Sequence, residues 1–485
     1  MKTTAAFRER IVTVGEIAAV LGLSGTVADA ADRRLTGITA DSRQVQPGNL
    51  FVCLAGERFD GHDFLPAAAA AGATAAIVAA GRQAALARLA PALTLLPVAD
   101  PLAALGDLAA WWLREMGPRV IAVTGSNGKT TTREMIAELL ACRWRVHRNP
   151  GNFNNLIGVP WTIFTLRSDH QRLVLELGMN RPGEIARLAT ICRPAGVVLT
   201  NLAAAHLEGL GDLNGVAAAK AEIFTGLDED GYVVYNADDR RLAAMVTAAA
   251  AGRSWTLLPV SLDADAPVPV RARQLRLGAA GSSFRLEIDG VAAPATLEIP
   301  GRHQVGNALL AAAVAWQEGL AVGEIAAAVS RLTALPGRFR VWELPAGGLL
   351  IDDTYNANPG SMRASLDALE EMGRGRPRAA VLGDMFELGA AAAALHREVG
   401  EYAGRRGLDL LLAYGPLAAE LAAAAVAAGM PAALVHHFQP GEEEAVCARL
   451  TALLPANGVV LVKGSRGMAM EKIVHRLLAA EEVEA

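Results

Sequence analysis

A lysine and a threonine at the end of a glycine-rich turn are the residues whose types and spacing most directly indicate chemistry. Lys129 and Thr130 follow an apolar strand predicted at 120–123 and begin a predicted helix. Glycines let backbone N–H groups close around phosphate oxygens, the lysine reaches the β- and γ-phosphates, and the threonine hydroxyl can ligate Mg²⁺. Val123 replaces the first glycine of the G-x-x-x-x-G-K-[ST] pattern, so the loop is a shortened variant. The residues predicted to bind nucleotide phosphates here are Thr124, Gly125, Ser126, Asn127, Gly128, Lys129, Thr130 and Thr131.

Two further polar side chains follow predicted strands of the same region. Glu176 lies at the end of a strand predicted at 173–177, and His206 follows a strand predicted at 196–200. Both side chains could hold a divalent metal beside phosphates bound at the loop. Taken alone, the glutamate also fits a solvated strand end and the histidine a structural role.

Lysine is rare in this chain. It occurs only at five positions, so 40 of the 45 basic residues are arginine: Lys2, Lys129, Lys220, Lys463 and Lys472. A lysine that persists where arginine meets nearly every need for positive charge can mark a site that requires a primary amine. Chance survival is the alternative for any one of them.

Composition limits the classes of protein to which the chain can belong. Its 485 residues predict two to four domains, since a typical domain has about 150 residues. A hydrophobic content of 52%, a charged content of 20% and a mean hydropathy of +0.28 exclude a disordered or fibrous chain. The net charge of −5 provides no overall attraction to nucleic acid or anionic lipid. Any anionic ligand must therefore be bound locally, and we expect no nucleic-acid partner.

The cysteines and the apolar segments indicate the compartment. The four cysteines form no C-x-x-C pair, which favours a reducing compartment, and the N-terminal region lacks the apolar core of a secretory signal. The alanine-rich stretch 65–80 falls short of the ~20 strongly apolar residues that a membrane span needs, and is predicted as one buried helix. A cytoplasmic monomer that is not an integral membrane protein is expected.

The pattern of predicted strands divides the chain into three parts. Strands at 37–43 and 49–54, the latter followed by the loop 56–61, predict a small α/β unit. Apolar strands alternate with helices from 120 onward, with an antiparallel addition predicted over 255–300, and the alternation restarts at 349. We predict an α/β fold with three domains, at 1–117, 118–335 and 336–485. The central domain would carry a P-loop ATPase-like parallel sheet and the C-terminal domain a doubly wound, Rossmann-like one.

The shortened loop T-G-S-N-G-K-T-T resembles the ATP site of the Mur ligases and of their relatives, the folylpolyglutamate synthetases. Other segments that resemble this family extend over essentially the whole chain: 151–160, 175–179, 201–211, 219–222, 301–307, 336–338, 351–359, 383–389 and 462–466. Within the family, D-T-Y-N-A-N-P at 353–359 and G-D-M-F-E-L-G at 383–389 are similar to the type that adds D-alanyl-D-alanine to a UDP-N-acetylmuramoyl tripeptide. The D-N-P-R motif expected of the diaminopimelate-adding type is absent.

The resemblance implies an ATP-dependent ligase of peptidoglycan biosynthesis, working with two Mg²⁺ ions. Joining a carboxylate to an amine requires activation, and transfer of the γ-phosphoryl group to give an acyl phosphate is the direct route. Three alternatives stay open: another amide ligase of the family such as the diaminopimelate-adding type, a non-catalytic nucleotide-dependent scaffold, and a P-loop kinase or GTPase, which the short loop disfavours.

The resemblance also implies roles for individual residues of the central domain. The catalytic set would be Lys129, Glu176, His206, Lys220 and Arg338. Thr130 and Glu176 would hold one metal ion and His206 a second, with Lys220 carbamylated so that it becomes an anionic ligand. Asn154 and Asn155 would lie near the γ-phosphate on the UDP-substrate side, and Asn307 near the adenine. Gln304 departs from the family, where asparagine usually follows the histidine, and is left out of the adenine contacts.

Further residues are assigned to the outer domains on the same basis. Arg338 would clamp phosphate and Asp353 would contact the ribose. Residues expected on the dipeptide or phosphate side are Tyr355, Asn356, Asn358, Lys463, Ser465 and Arg466. Residues expected to hold the uridine and pyrophosphate of the UDP-sugar are Thr39, Asp41, Ser42, Arg43 and Arg58, although a surface turn would look the same.

Overall fold

Three large β-sheets, each covered by helices, follow one another along the chain, with five, nine and six strands. The computed structural model describes residues 4–7, 9–56, 58–344 and 347–484, so Lys2 and Glu57 lie outside the described residues. The predicted α/β class with three domains is confirmed by this arrangement and by the structural relatives reported below. Among the described residues, no helix is long and apolar enough to cross a membrane.

The N-terminal sheet has the order β1-β4-β5-β6-β7, with β1 antiparallel to β4 and the other pairs parallel. Its strands, with the separate pair β2–β3, are β1 (Thr4–Ala6), β2 (Val12–Thr13), β3 (Arg34–Leu35), β4 (Gly37–Thr39), β5 (Asn49–Val52), β6 (Ala75–Ala79) and β7 (Thr94–Val98). Its helices are α1 (Val14–Val20), α2 (Leu65–Ala70), α3 (Gln83–Leu89) and α4 (Pro101–Met116). The prediction of one buried helix over 65–80 is wrong. The left-handed Gly72 ends α2, and the buried strand β6 follows.

The central sheet has the order β16-β15-β14-β13-β12-β11-β8-β10-β9. Its strands are β8 (Arg119–Thr124), β9 (Val146–Arg148), β10 (Arg172–Glu176), β11 (Gly196–Leu199), β12 (Tyr232–Asn236), β13 (Thr256–Ser261), β14 (Val270–Gly278), β15 (Gly281–Ile288) and β16 (Val291–Leu297). Its helices are α5 (Lys129–Leu140), α6 (Gly158–Phe164), α7 (Glu184–Cys192), α8 (Leu207–Leu210), α9 (Leu213–Ala221), α10 (Arg240–Ala250), α11 (Arg302–Gln317) and α12 (Val322–Val329). The antiparallel addition was predicted too long, because β13 pairs parallel with β12 and antiparallel pairing begins only between β14 and β15.

The C-terminal sheet has the order β17-β18-β22-β19-β20-β21, parallel except for the edge strand β17. Its strands are β17 (Arg340–Glu343), β18 (Leu349–Asp353), β19 (Arg378–Gly383), β20 (Leu410–Tyr414), β21 (Val435–Phe438) and β22 (Val459–Lys463). Its helices are α13 (Pro359–Met372), α14 (Ala392–Gly404), α15 (Ala418–Ala427), α16 (Glu443–Leu453) and α17 (Glu471–Glu484). Apolar clusters pack on both faces of the sheet, as its unbroken apolar strands require.

Candidate functional site

A glycine-rich cradle follows β8, the strand between β11 and β10 in the central sheet. Gly125 has φ 149° and Gly128 φ 78°, which favours glycine at both positions. A Cβ atom on Gly125 would lie 1.9 Å from Thr200 Oγ1, and one on Gly128 would lie 2.5 Å from Asn307 Oδ1. Both glycines are therefore required by backbone conformation and by space, and α5 begins directly after them at Lys129.

The carboxylate of Glu176, at the end of β10, accepts two side-chain hydrogen bonds. Thr130 Oγ1 donates a 2.7 Å hydrogen bond to Oε2, and Asn154 Nδ2 donates a 2.8 Å hydrogen bond to Oε1. Burial favours the protonated form, but the positive charges of Lys129, Arg133 and Arg338 outweigh it and hold the pKa of Glu176 below its usual value. An ionised carboxylate beside a P-loop threonine suits a Mg²⁺ ion that also binds phosphate oxygens.

Lys220, on α9, is 1% exposed. Within the described part of the chain, its Nζ has one polar contact, at 3.8 Å to Met179 Sδ. Burial, together with the charge of Lys129, lowers the pKa of Lys220 well below its ordinary value. A buried amine without an oxygen partner is costly as a cation, so burial favours its neutral form.

His206 meets the C-terminal domain. It has a left-handed backbone, φ 55°, and so does Glu387, φ 63°. Nδ1 of His206 lies 2.6 Å from Glu387 Oε2, and this contact lowers the pKa of Glu387. Over the described ranges, no three His, Cys, Asp or Glu side chains converge as a metal site. A metal bound here would therefore need oxygens from a phosphate or from a modified side chain to complete its ligands.

The C-terminal domain closes over the P-loop through two hydrogen bonds. Arg338 Nη2 donates to Thr130 Oγ1 at 2.8 Å, and Asn358 Nδ2 donates to Asn127 Oδ1 at 2.6 Å. A cavity of about 1350 Å³ lies between the two domains and is lined by the P-loop, Glu176, His206 and the C-terminal motifs. Residues predicted from distant parts of the sequence thus meet around one cavity.

A buried ion pair organises the end of β18. Lys463 Nζ lies 2.5 Å from Asp353 Oδ2 and donates a 3.1 Å hydrogen bond to the carbonyl of Asn356. Ser365 Oγ donates to the same carboxylate oxygen at 2.6 Å. Lys463 thus anchors Asp353 and the following turn. Ser465, predicted on the ligand side, accepts a hydrogen bond from the backbone N–H of Phe386.

Gln304 and Asn307 form a pair on α11. Asn307 Nδ2 donates a 3.1 Å hydrogen bond to Gln304 Oε1, and Thr132 Oγ1 donates to Asn307 Oδ1 at 3.3 Å. Gln304 is 3% exposed and lines the cavity. Gln304, which departs from the family pattern, therefore contacts Asn307, the residue predicted to bind the adenine. His303 beside Gln304 is half-buried, and desolvation lowers its pKa to about 4.

The residues predicted to bind the UDP-sugar form a separate group. Thr39, Asp41, Ser42, Arg43 and Arg58 are all within the described residues, and none lines the cavity. Asp41 accepts hydrogen bonds from the backbone and the guanidinium of Arg43, which lower the pKa of Asp41 to about 2. Thr39 is buried, and its hydroxyl lies 2.7 Å from that of Thr4.

Two residues of the site were not singled out from the sequence. Arg133 is 1% exposed, donates to the Gly151 carbonyl at 3.0 Å and lies 3.6 Å from Glu176 Oε2. Glu387 contacts His206. Glu387 lies inside the G-D-M-F-E-L-G motif, and that motif could have indicated it as a site residue. Arg133 is one of 40 arginines and lies in no such motif, so the sequence does not distinguish it.

Comparison with known proteins connects these features to one family. Family models match residues 34–112 ("Mur ligase family, catalytic domain"), 123–315 ("Mur ligase middle domain") and 337–466 ("Mur ligase, glutamate ligase domain"). The UDP-N-acetylmuramoyl-tripeptide–D-alanyl-D-alanine ligase of Escherichia coli is 40% identical, covering 92% of this chain and 94% of its own. The enzyme of the same name from Bacillus subtilis is 33% identical, covering 91% and 93%.

Solved structures give the same result. MurF from Acinetobacter baumannii superposes with a TM-score of 0.85 at 29% identity, covering 97% of this chain and 99% of its own. MurF ligase from Thermotoga maritima in complex with ADP superposes with a TM-score of 0.80 at 28% identity, covering 92% and 98%.

Proposed function

This chain belongs to the Mur ligase family, and from that premise we propose that it adds D-alanyl-D-alanine to a UDP-N-acetylmuramoyl tripeptide in an ATP-dependent reaction. Relatives named UDP-N-acetylmuramoyl-tripeptide–D-alanyl-D-alanine ligase match this chain at 33% and 40% identity over nine tenths of its length. The observation that carries the proposal is the interdomain cavity, in which a P-loop, an ionised Glu176 and Arg338 of the C-terminal domain meet. The product is the UDP-muramoyl pentapeptide precursor of peptidoglycan.

ATP binding is the part of this function that the P-loop performs. The backbone N–H groups of Ser126 and Asn127 donate to Asn201. The N–H groups at the start of α5 would therefore bind the β- and γ-phosphates, and Lys129 would supply a positive charge to them. We assign the adenine to the end of the cavity at Asn307, and the ribose to Asp353. Lys463 then acts on the nucleotide indirectly, since its Nζ is bound to Asp353 and to the Asn356 carbonyl.

We propose that Thr130 and Glu176 hold one Mg²⁺ ion and that His206 and Lys220 hold a second. The donor set fits, because a hydroxyl, an ionised carboxylate and phosphate oxygens are the ligands that Mg²⁺ takes in such sites. Bound Mg²⁺ would neutralise the charge that develops on the transferring phosphoryl group.

We also propose that Lys220 is carbamylated. The buried Nζ has the lowered pKa that keeps an amine neutral and nucleophilic, and addition of CO₂ to it yields a carbamate and releases one proton. The carbamate would supply the oxygen ligands that the described side chains near His206 lack. Arginine at this position could not be carbamylated.

Two chemical steps follow from the assigned groups. The tripeptide carboxylate attacks the γ-phosphorus, giving an acyl phosphate and ADP, with Lys129 and Arg338 stabilising the charge on the transferring group. The dipeptide amine then attacks the acyl carbon, and the tetrahedral intermediate collapses to the amide and phosphate. We assign the dipeptide to the side of Asn356, Asn358, Ser465 and Arg466. Closure of the domains excludes water that would hydrolyse the acyl phosphate.

The remaining assignments are proposals of the same kind. The five N-terminal residues would hold the uridine and pyrophosphate: Thr39, Asp41, Ser42, Arg43 and Arg58. Asn154 and Asn155 would contact the same substrate near the γ-phosphate. The protein would act in the cytoplasm as a monomer, with domain limits at 117 and 335. Substrate replacement tests the main alternative: diaminopimelate offered with the UDP-muramoyl dipeptide should give no product, whereas a diaminopimelate-adding ligase would join them.

A further inference from the structure

The ring of Tyr355 lies against two arginines of the proposed site. The guanidinium carbon of Arg338 is 4.0 Å from the ring centroid, and that of Arg466 is 5.7 Å from it. An arginine over an aromatic face within about 6 Å is attracted by the ring quadrupole, more strongly when water is excluded. The ring is half-buried in the wall of the interdomain cavity.

The backbone of Tyr355 fixes the same segment. Its N–H donates a 3.0 Å hydrogen bond to the carbonyl of Gly337, and the N–H of Gly337 donates to Asp352 Oδ2 at 3.2 Å. Gly337 has φ 67°, so the chain turns sharply just before Arg338. The turn and the ring therefore confine Arg338 from two sides, and its Nη2 reaches Thr130 Oγ1.

We infer that Tyr355 is a positioning residue, whose ring holds the Arg338 guanidinium over the P-loop. This inference rests on the proposed function, since it concerns the arginine assigned to the transferring phosphate. The ring, rather than the hydroxyl, carries the role, because within the described part of the chain the Tyr355 hydroxyl makes no hydrogen bond. Without the ring, Arg338 keeps its charge but samples other rotamers, and the geometry needed during phosphoryl transfer is populated less often.

This role predicts a specific kinetic signature. A correctly placed guanidinium matters most when charge develops on the phosphoryl group, so its loss should lower kcat rather than raise KM. We expect Tyr355→Leu to lower kcat about tenfold, in keeping with one desolvated cation–π contact, and to change KM for ATP and for the dipeptide less than about twofold. Tyr355→Phe keeps the ring and should stay within about twofold of wild type in kcat.

The chain offers a matched control in the same domain. Arg340 lies 3.9 Å from the ring centroid of Trp342, and neither residue is among those that line the cavity. Trp342→Leu removes an arginine–aromatic pair of the same type, so it reports any general destabilisation. We expect its kcat to match wild type.

The experiment measures product formation by all four proteins with UDP-muramoyl tripeptide, ATP and D-alanyl-D-alanine, together with calorimetric binding of a non-hydrolysable ATP analogue. The inference requires analogue affinity to be unchanged in Tyr355→Leu while kcat falls, and Tyr355→Phe to restore kcat. A rise in KM for the dipeptide or a loss of analogue affinity at unchanged kcat would overturn it, since the ring would then contact a ligand directly. A Tyr355→Phe variant as slow as Tyr355→Leu would also overturn it. Absence of turnover in wild type would instead refute the proposed function.

Discussion

The guanidinium of Arg338 donates a 2.8 Å hydrogen bond to the hydroxyl of Thr130, although 208 positions separate the two residues. The same hydroxyl donates to Glu176, so one threonine joins the C-terminal domain to the carboxylate at the end of β10. Closure of the domains and assembly of the phosphate site are therefore one event. An open arrangement would retain the P-loop but lose Arg338 from it.

Replacement of Lys220 by arginine tests the carbamate. Arginine carries a permanent positive charge and cannot add CO₂, so we expect kcat to fall by at least about a hundredfold. Lys472→Arg is the matched control, because the Lys472 side chain is 64% exposed and remote from the cavity. Steady-state rates at saturating substrates check the prediction. Retention by Lys220→Arg of more than about a tenth of kcat, equivalent to a loss below ~1.4 kcal/mol, would refute it.

Replacement of Asn358 by serine separates its two roles. Asn358 caps α13 by accepting a hydrogen bond from Ser361 N, and its Nδ2 donates to Asn127 on the P-loop. Serine preserves the cap but not the donor, so thermal stability should stay within about 0.5 kcal/mol of wild type. Loss of one interdomain hydrogen bond should lower kcat about three- to tenfold. A serine variant with wild-type kcat would show that this hydrogen bond does not support closure.

The Lys463–Asp353 pair predicts non-additive mutations. The two side chains are 3% and 15% exposed, so Lys463→Met leaves a largely buried carboxylate without its partner. We expect a loss of about 3 kcal/mol of stability in the C-terminal domain and weaker ATP binding. Adding Asp353→Asn should recover part of the lost stability, as measured by calorimetry. Simple additivity of the two single effects would contradict the ion-pair account.

His147 makes stability depend on pH. Burial, with the charge of the stacked His170, lowers the pKa of His147 to about 4. A folded pKa below the unfolded value of about 6.5 means that the unfolded chain takes up the proton first, so stability falls as pH drops from 6.5 toward 4. The contribution between pH 7 and pH 5 is about 1–2 kcal/mol. The His147→Gln variant should therefore show a smaller fall in Tm over that range. A fall equal to that of wild type would show that His147 does not contribute to the pH dependence of stability.

The repeating parts of the fold were predictable because they depend on local patterns. Apolar runs such as those of β8 and β10 are recognisable as buried parallel strands, and the glycine turn after β8 as a phosphate site. The stretch 65–80 was misjudged, since alanine favours a helix and carries no period that would separate α2 from β6. The parallel pairing of β13 depends on its neighbours in the sheet, and alternation in one strand does not reveal it.

The site was predictable where a motif marks it and not where tertiary contacts create it. The resemblance assigned Glu176, Arg338 and Lys220, and these residues lie around or beside the P-loop. The contact of Glu387 with His206 and the burial of Arg133 against Glu176 depend on domain packing, which carries no local signal. The roles of the five N-terminal residues stay predictions.

The most direct test of the central claim is phosphate release from ATP with UDP-muramoyl tripeptide and D-alanyl-D-alanine, measured together with the product mass. Tripeptides with diaminopimelate or lysine at the third residue should both be tried, and each substrate omitted in turn. The account predicts that phosphate release requires both substrates and that the product gains the mass of one dipeptide less water. Release with a single amino acid in place of the dipeptide, or ATP binding without release under any pairing, would contradict it.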